Sequence, residues 1–168
     1  MRQGELLAEQ LNGSREWTLR LLADIKGDQW TFQPGPGLAH PLWLCGHFAA
    51  SQDLLVFVRS LKKPATLDPS FTSHFSIGGP VKAAGEHPFP SPQAVLATMH
   101  QMHERTLAAV RGMSDELLDE PAFAADGKSP HPHYRDKRGA VVHCGRHEAF
   151  HAGQLAMIRR LLGKSFLR

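Results

Sequence analysis

The chain has 168 residues, 42% of them hydrophobic, which is enough apolar material for one sizeable core and is read as a single domain over residues 1–168. Nineteen Lys and Arg stand against sixteen Asp and Glu, for a net charge of +3, and no basic block interleaves with aromatic residues. That balance excludes a nucleic-acid surface. No apolar run is long enough to span a bilayer, and the opening MRQGELLAEQ carries charges where a leader would be apolar, so a soluble, cytoplasmic protein is expected.

The first predicted helix runs from about Gln3 to Lys26, with Leu7, Leu11, Thr18, Leu21, Leu22 and Ile25 at helical spacing. Gly27 and the turn-rich QPGPG stretch end it. The second runs from about His40 to Leu61, with Pro41 suited to a first helical position. Its stripe is Trp43, His47, Leu54 and Val58, so a histidine occupies a core-facing position.

Residues 63–90 form a long connection containing FTSHFSIGGP, and Phe71, Phe75 and Phe89 predict that it packs on the bundle. A connection of this length can carry the chain across to a neighbouring helix. The third helix starts at the Ser91 cap and Pro92, shows Leu96, Met99, His103, Thr106 and Val110 as its stripe, and ends at Gly112. A short helix from Ser114 to Leu118 and an irregular, Pro-rich stretch to Arg138 follow. The fourth helix, from about Gly139 to Leu162, carries His143, His147, His151, Leu155, Ile158 and Leu162 at steps of three or four, and Gly163 ends it. The basic residues Arg159, Arg160, Lys164 and Arg168 read as a solvated helix terminus.

Eleven histidines are the compositional oddity. Residues four apart on a helix stack on one face, so the imidazoles of His147 and His151 can converge on one ion. A third donor from a facing helix would complete a three-ligand site, and His47 on the second helix's inward stripe is the natural candidate. Burying several imidazoles without partners is costly, which favours a metal over three unrelated core histidines. Around His147 the sequence reads HEAFH, the H-E-x-x-H pattern of zinc proteases, in which Glu148 would be the general base. The protease reading fails for want of a downstream ligand, because no His, Asp or Glu follows His151. Glu148 points about 100° from His147 around the helix, which assigns it to the surface. His143 reads as a further ligand, a proton shuttle or a residue hydrogen-bonded at the rim, and His103 as a second candidate to face the site. Cys45 and Cys144 read as buried reduced thiols, with soft ligation as the alternative.

The segments HPLWLCGHFAASQDLL and HEAFHAGQLAMIRRLLGK resemble the two diagnostic stretches of the DinB-like (YfiT-type) superfamily, and the FTSHFSIGGP loop resembles the connection found in one branch of it. This resemblance implies an all-α four-helix bundle with a long connection between its second and third helices, often a homodimer. It also implies one nickel or zinc ion on His47, His147 and His151, with Gly153 and Gln154 matching the family's GQ. Phe150 and Ala152 stand where many members carry His and Arg. By the same resemblance the protein is expected to be a metal-dependent enzyme acting on a small-molecule substrate. A thiol S-transferase using a low-molecular-weight thiol in stress or detoxification is preferred. Independently of the resemblance, Arg138 and Arg146 lie near the start of the fourth helix, where anions are attracted, and are candidates to hold an anionic thiol. The alternatives are a hydrolase using metal-bound hydroxide and a non-catalytic metal-binding stress protein.

Overall fold

The structure, a computed structural model, describes residues 1–124 and 126–167. Four long helices carry it: α1 (Gln3–Leu22), α2 (Pro41–Gln52), α4 (Pro92–Arg111) and α6 (Lys137–Leu161). The short helices α3 (Pro69–Ser73) and α5 (Asp115–Asp119) lie in the connections, and among the described residues there is no β-strand. The expected all-α bundle with a long connection after its second helix is what forms.

Three of the four long helices start at a residue whose side chain caps their unpaired amides. Ser91 accepts from Ala94 N–H at 3.3 Å to open α4, and Asp136 accepts from Gly139 N–H at 2.7 Å to open α6. At α2 the cap is an imidazole, with His40 Nδ1 accepting from Trp43 N–H at 3.1 Å and Pro41 occupying the first turn. Gly163, at φ +72°, closes α6 in the left-handed conformation that glycine adopts without penalty.

Around the bundle α1 packs on α4, α4 on α2, α2 on α6 and α6 back on α1. The core between them holds Leu11, Leu21, Leu44, Phe48, Met99, Met102, Leu155 and Ile158, all nearly sealed from solvent.

Three local expectations give way to the structure. First, α1 stops at Leu22 rather than Lys26, because Asp24 is drawn to Arg159 and Lys164 from the far end of α6. The same contacts overturn the solvated basic tail: Arg159 is 4% exposed and bonds Asp24 and the Leu21 carbonyl, while Arg160 alone of the two is exposed. Arg168 lies outside the described residues.

Second, α2 continues from Asp53 to Ser60 as a π-helix. The wider turn shifts the inward stripe. Leu54 comes to the surface and Val58 half-way, whereas Leu55, Val56, Phe57 and Ser60 are buried. Third, the buried line of α6 is Val141, Cys144, Glu148, Ala152 and Leu155, and the histidines lie on its flank, half-buried.

The crossover between α2 and α4 is tied down at several points. The buried Asp53 carboxylate accepts from the Thr66 and Leu67 amides and from the Thr66 hydroxyl at 2.7–3.0 Å. Further on, Phe75 is fully buried and packs with Phe71 and Phe89, whose ring centroids lie 4.9 and 6.1 Å from its own. His74 Nδ1 and His87 Nε2 share a hydrogen bond of 2.7 Å beside them.

Candidate metal centre

His47 comes from α2, and His147 and His151 come from successive turns of α6. Their imidazoles meet where the two helices pack. His147 Nε2 lies 3.1 Å from His47 Nε2 and 3.1 Å from His151 Nε2, and the three nitrogens all fall within 4.8 Å of one another. Nitrogens on one tetrahedral ion with bonds of about 2.0–2.1 Å stand roughly 3.3 Å apart, so this spacing suits a shared ion. Among the described residues the donor set is three imidazoles, with no carboxylate or thiolate.

Outer contacts aim two of the rings. His47 Nδ1–H donates to the Phe75 carbonyl at 3.2 Å, and His151 Nδ1–H donates to Gln154 Oε1 at 2.7 Å. In each case the proton is held on Nδ1 and the Nε2 lone pair faces the common point, the arrangement that metal-binding imidazoles require. Trp43 stacks on His47 with centroids 4.6 Å apart and planes within 15°. Phe48 closes the inner side of His151 at 6.0 Å, while Phe150, on its outer side at 5.2 Å, is exposed.

Burial keeps these imidazoles neutral. Desolvation, then the neighbouring His151, pushes His47 down to about 4, with the Phe75 carbonyl opposing. His147 falls to about 3 through desolvation, then through His151, His47 and His143. His151 is lowered by burial too, against the pull of Gln154. Neutral donors at neutral pH are what a divalent ion needs, because a protonated imidazole cannot ligate.

The other candidate residues have different surroundings. His143 sits one turn before His147, ring centroids 5.9 Å apart, and lies between it and Tyr134 at 4.9 Å. It is outside the three-nitrogen cluster. His103 is buried on α4, where Gln52 Nε2 donates to its Nδ1 at 3.1 Å and its Nε2 faces Asn12 Oδ1 at 3.4 Å. Arg138 is engaged by Asp119 at 2.5 Å, and Arg146 is exposed near Tyr134 and His143.

Glu148 corrects the sequence reading outright. It is 2% exposed, and its carboxylate is gripped by Arg15, with Nε to Oε1 at 2.6 Å. The 100° turn from His147 points inward because α6 is covered by α1 on that side. The HEAFH match therefore lacks the free base that the protease pattern requires. Cys45 and Cys144 are buried near the same ion pair, and burial pushes both thiols up to about 12.

Sequence reasoning missed the role of Gln154 and of Phe75. The GQ pair was in view, but no periodicity says which side chain bonds an imidazole. Among the described residues Gly153 meets no neighbouring atom within 4 Å of an added Cβ, so no close helix contact among them depends on it.

The sequence profile of the DinB superfamily matches residues 10–155, and the chain belongs to that superfamily. The fold is similar to the crystal structure of a conserved protein of a locus from Enterococcus faecalis, with a TM-score of 0.76 at 20% identity, covering 98% of this chain and 99% of that one. No curated protein matches the chain.

Proposed function

We propose that the protein holds one divalent metal ion, zinc or nickel, on His47, His147 and His151, and that it is a metal-dependent thiol S-transferase. The observation that carries the metal reading is the convergence of three neutral Nε2 atoms, two of them aimed by outer hydrogen bonds. Three protein ligands leave a position free for a substrate, the pattern of catalytic rather than structural sites. An ion bound there supplies Lewis acidity that favours the thiolate of a bound thiol near neutral pH.

The chain's own residues shape the rest. Trp43 and Phe48, both buried, wall the inner side against His47 and His151. Phe150, Tyr134 and His143 flank the half-open side where a small electrophile would lie. Arg146, exposed beside Tyr134 and His143, offers a cation to an anionic thiol. In the reaction the thiol proton leaves to solvent, a sulfur–carbon bond forms and the carbon–halogen bond of a haloaromatic breaks, with halide departing. The electron count is unchanged.

The test has two arms. Elemental analysis of untagged protein should find one zinc or nickel per chain after reconstitution at neutral pH. Metal-loaded and metal-free protein should then be compared across a panel of low-molecular-weight thiols with a haloaromatic or epoxide. Equal rates throughout would remove the transferase reading and leave the metal site standing.

A further inference from the structure

We propose that Phe75 is a positioning residue for the metal centre, so that seating of the crossover between α2 and α4 and the affinity for metal are coupled through Phe75, Gly46 and His47. This rests on the metal reading above and extends it to a segment that contributes no ligand.

Two contacts, made by different parts of Phe75, carry the inference. Its carbonyl accepts from His47 Nδ1–H at 3.2 Å, which fixes the tautomer and the rotation of that ring. Its side chain lies directly on Gly46, the residue before His47, so closely that an added Cβ would fall among the Phe75 ring atoms. Ring and carbonyl thus clamp two consecutive residues of α2. The ring is itself held by the crossover: Phe71, Phe89 and His74 surround it at 4.9, 6.1 and 5.9 Å, and His74 is bonded to His87. Trp43 stacks on one face of His47, so the imidazole has little room to compensate if the carbonyl moves.

Gly46 has no turn to make, since it sits inside α2, where glycine costs about 1 kcal/mol relative to alanine. Close approach of the Phe75 ring is what its missing side chain permits. By linkage the coupling runs both ways: if a seated crossover strengthens metal binding, bound metal must stabilise the seated crossover.

The experiment measures zinc affinity by competition with a chelator for the full chain and its variants. Gly46→Ala and Phe75→Ala are expected to weaken binding by about 10–100-fold, the usual effect of removing an outer partner of a metal-bound imidazole. Phe75→Leu, which still covers Gly46, should fall between them and the wild type. Val110→Ala, a buried change on α4, controls for general destabilisation and should leave affinity unchanged. In hydrogen exchange, zinc should slow the amides around residues 69–78 in the wild type and not in His151→Ala. If Gly46→Ala does not fold, Phe75→Leu and the exchange measurement decide. Wild-type affinity in Gly46→Ala and Phe75→Leu, with no zinc-dependent protection, overturns this inference alone. A wild type that binds neither zinc nor nickel overturns the metal reading, and this inference with it.

Discussion

Arg15 on α1 and Glu148 on α6 form a two-pronged ion pair, Nε to Oε1 at 2.6 Å and Nη2 to Oε2 at 3.1 Å, with side chains only 2% and 3% exposed. The remaining guanidinium nitrogen donates to the Met99 carbonyl on α4, so one side chain ties three helices. Removing one partner of such a pair leaves an uncompensated buried charge. Arg15→Ala and Glu148→Ala should each lower the unfolding free energy in urea by about 3–5 kcal/mol. A loss below about 1 kcal/mol would mean that water reaches the pair and that its burial does not govern its strength. Under native conditions Glu148→Gln should still bind one zinc, since no ligand is removed.

Substitution of the histidines separates donors from neighbours. His47→Ala, His147→Ala and His151→Ala should each weaken zinc binding by more than about 100-fold, beyond what loss of an outer partner produces. His143→Ala and His103→Ala should stay within about tenfold of the wild type. Chelator competition on the five proteins checks this. Loss of binding in His143→Ala with retention in His47→Ala would reassign the third ligand.

Acid should destabilise the metal-free protein through its buried imidazoles, two of which lie outside the triad. Burial holds His40 at about 4 and, aided by Arg15, His100 and Arg111, holds His103 at about 3. Both folded values lie below the ordinary 6.5, so the folded chain binds fewer protons than the unfolded one across that window. Their contribution is complete above pH 6.5 and is lost as pH falls towards 4 and 3. At pH 5 each site should cost about 2 kcal/mol relative to neutral pH. Urea titrations in the presence of a chelator should show this slope, and His103→Gln should flatten it. An unchanged slope in that variant would show that His103 takes up its proton as readily in the folded chain as in the unfolded one.

Native thiol reactivity offers a simple check on the core. The two cysteines are buried, with thiols pushed up to about 12, so a thiolate-trapping reagent at pH 8 should modify neither in the folded protein. Both should react at once in urea. Fast native labelling of Cys144, one turn before His147, would point to an opening of α6 beside the site.

The helices were legible because their boundaries are written in local chemistry. Ser91–Pro92, Ser114 and Gly163 mark the same ends in the sequence and in the structure. The three histidines were legible because two share a helix face at a spacing of four. Spacing fixed that face relative to His147 but could not say what covered it. Glu148 therefore read as a surface residue, although α1 brings Arg15 against it from 133 residues away. The stripe of α2 misled for another reason: periodicity assumes 3.6 residues per turn, and the π-helix at 53–60 departs from it. Phe75 acts through its backbone carbonyl, which every residue possesses, so no pattern of side chains announces it.

That π-helical stretch has a consequence for how the gene can change length. A π-turn holds one residue more than an α-turn, so a deletion there can close to an ordinary α-helix with little rotation, whereas a single-residue insertion between Asp53 and Ser60 would swing everything after it by about 100°. Asp53 would then lose its grip on Thr66 and Leu67, and the chain would leave the bundle heading the wrong way. Most surface connections absorb insertions and deletions freely. Here the stretch between Gly46 and Phe75 can shed a residue by closing its π-turn but has no such means of taking one up. Exchanging individual residues along 53–60 should be far better tolerated than adding one to them.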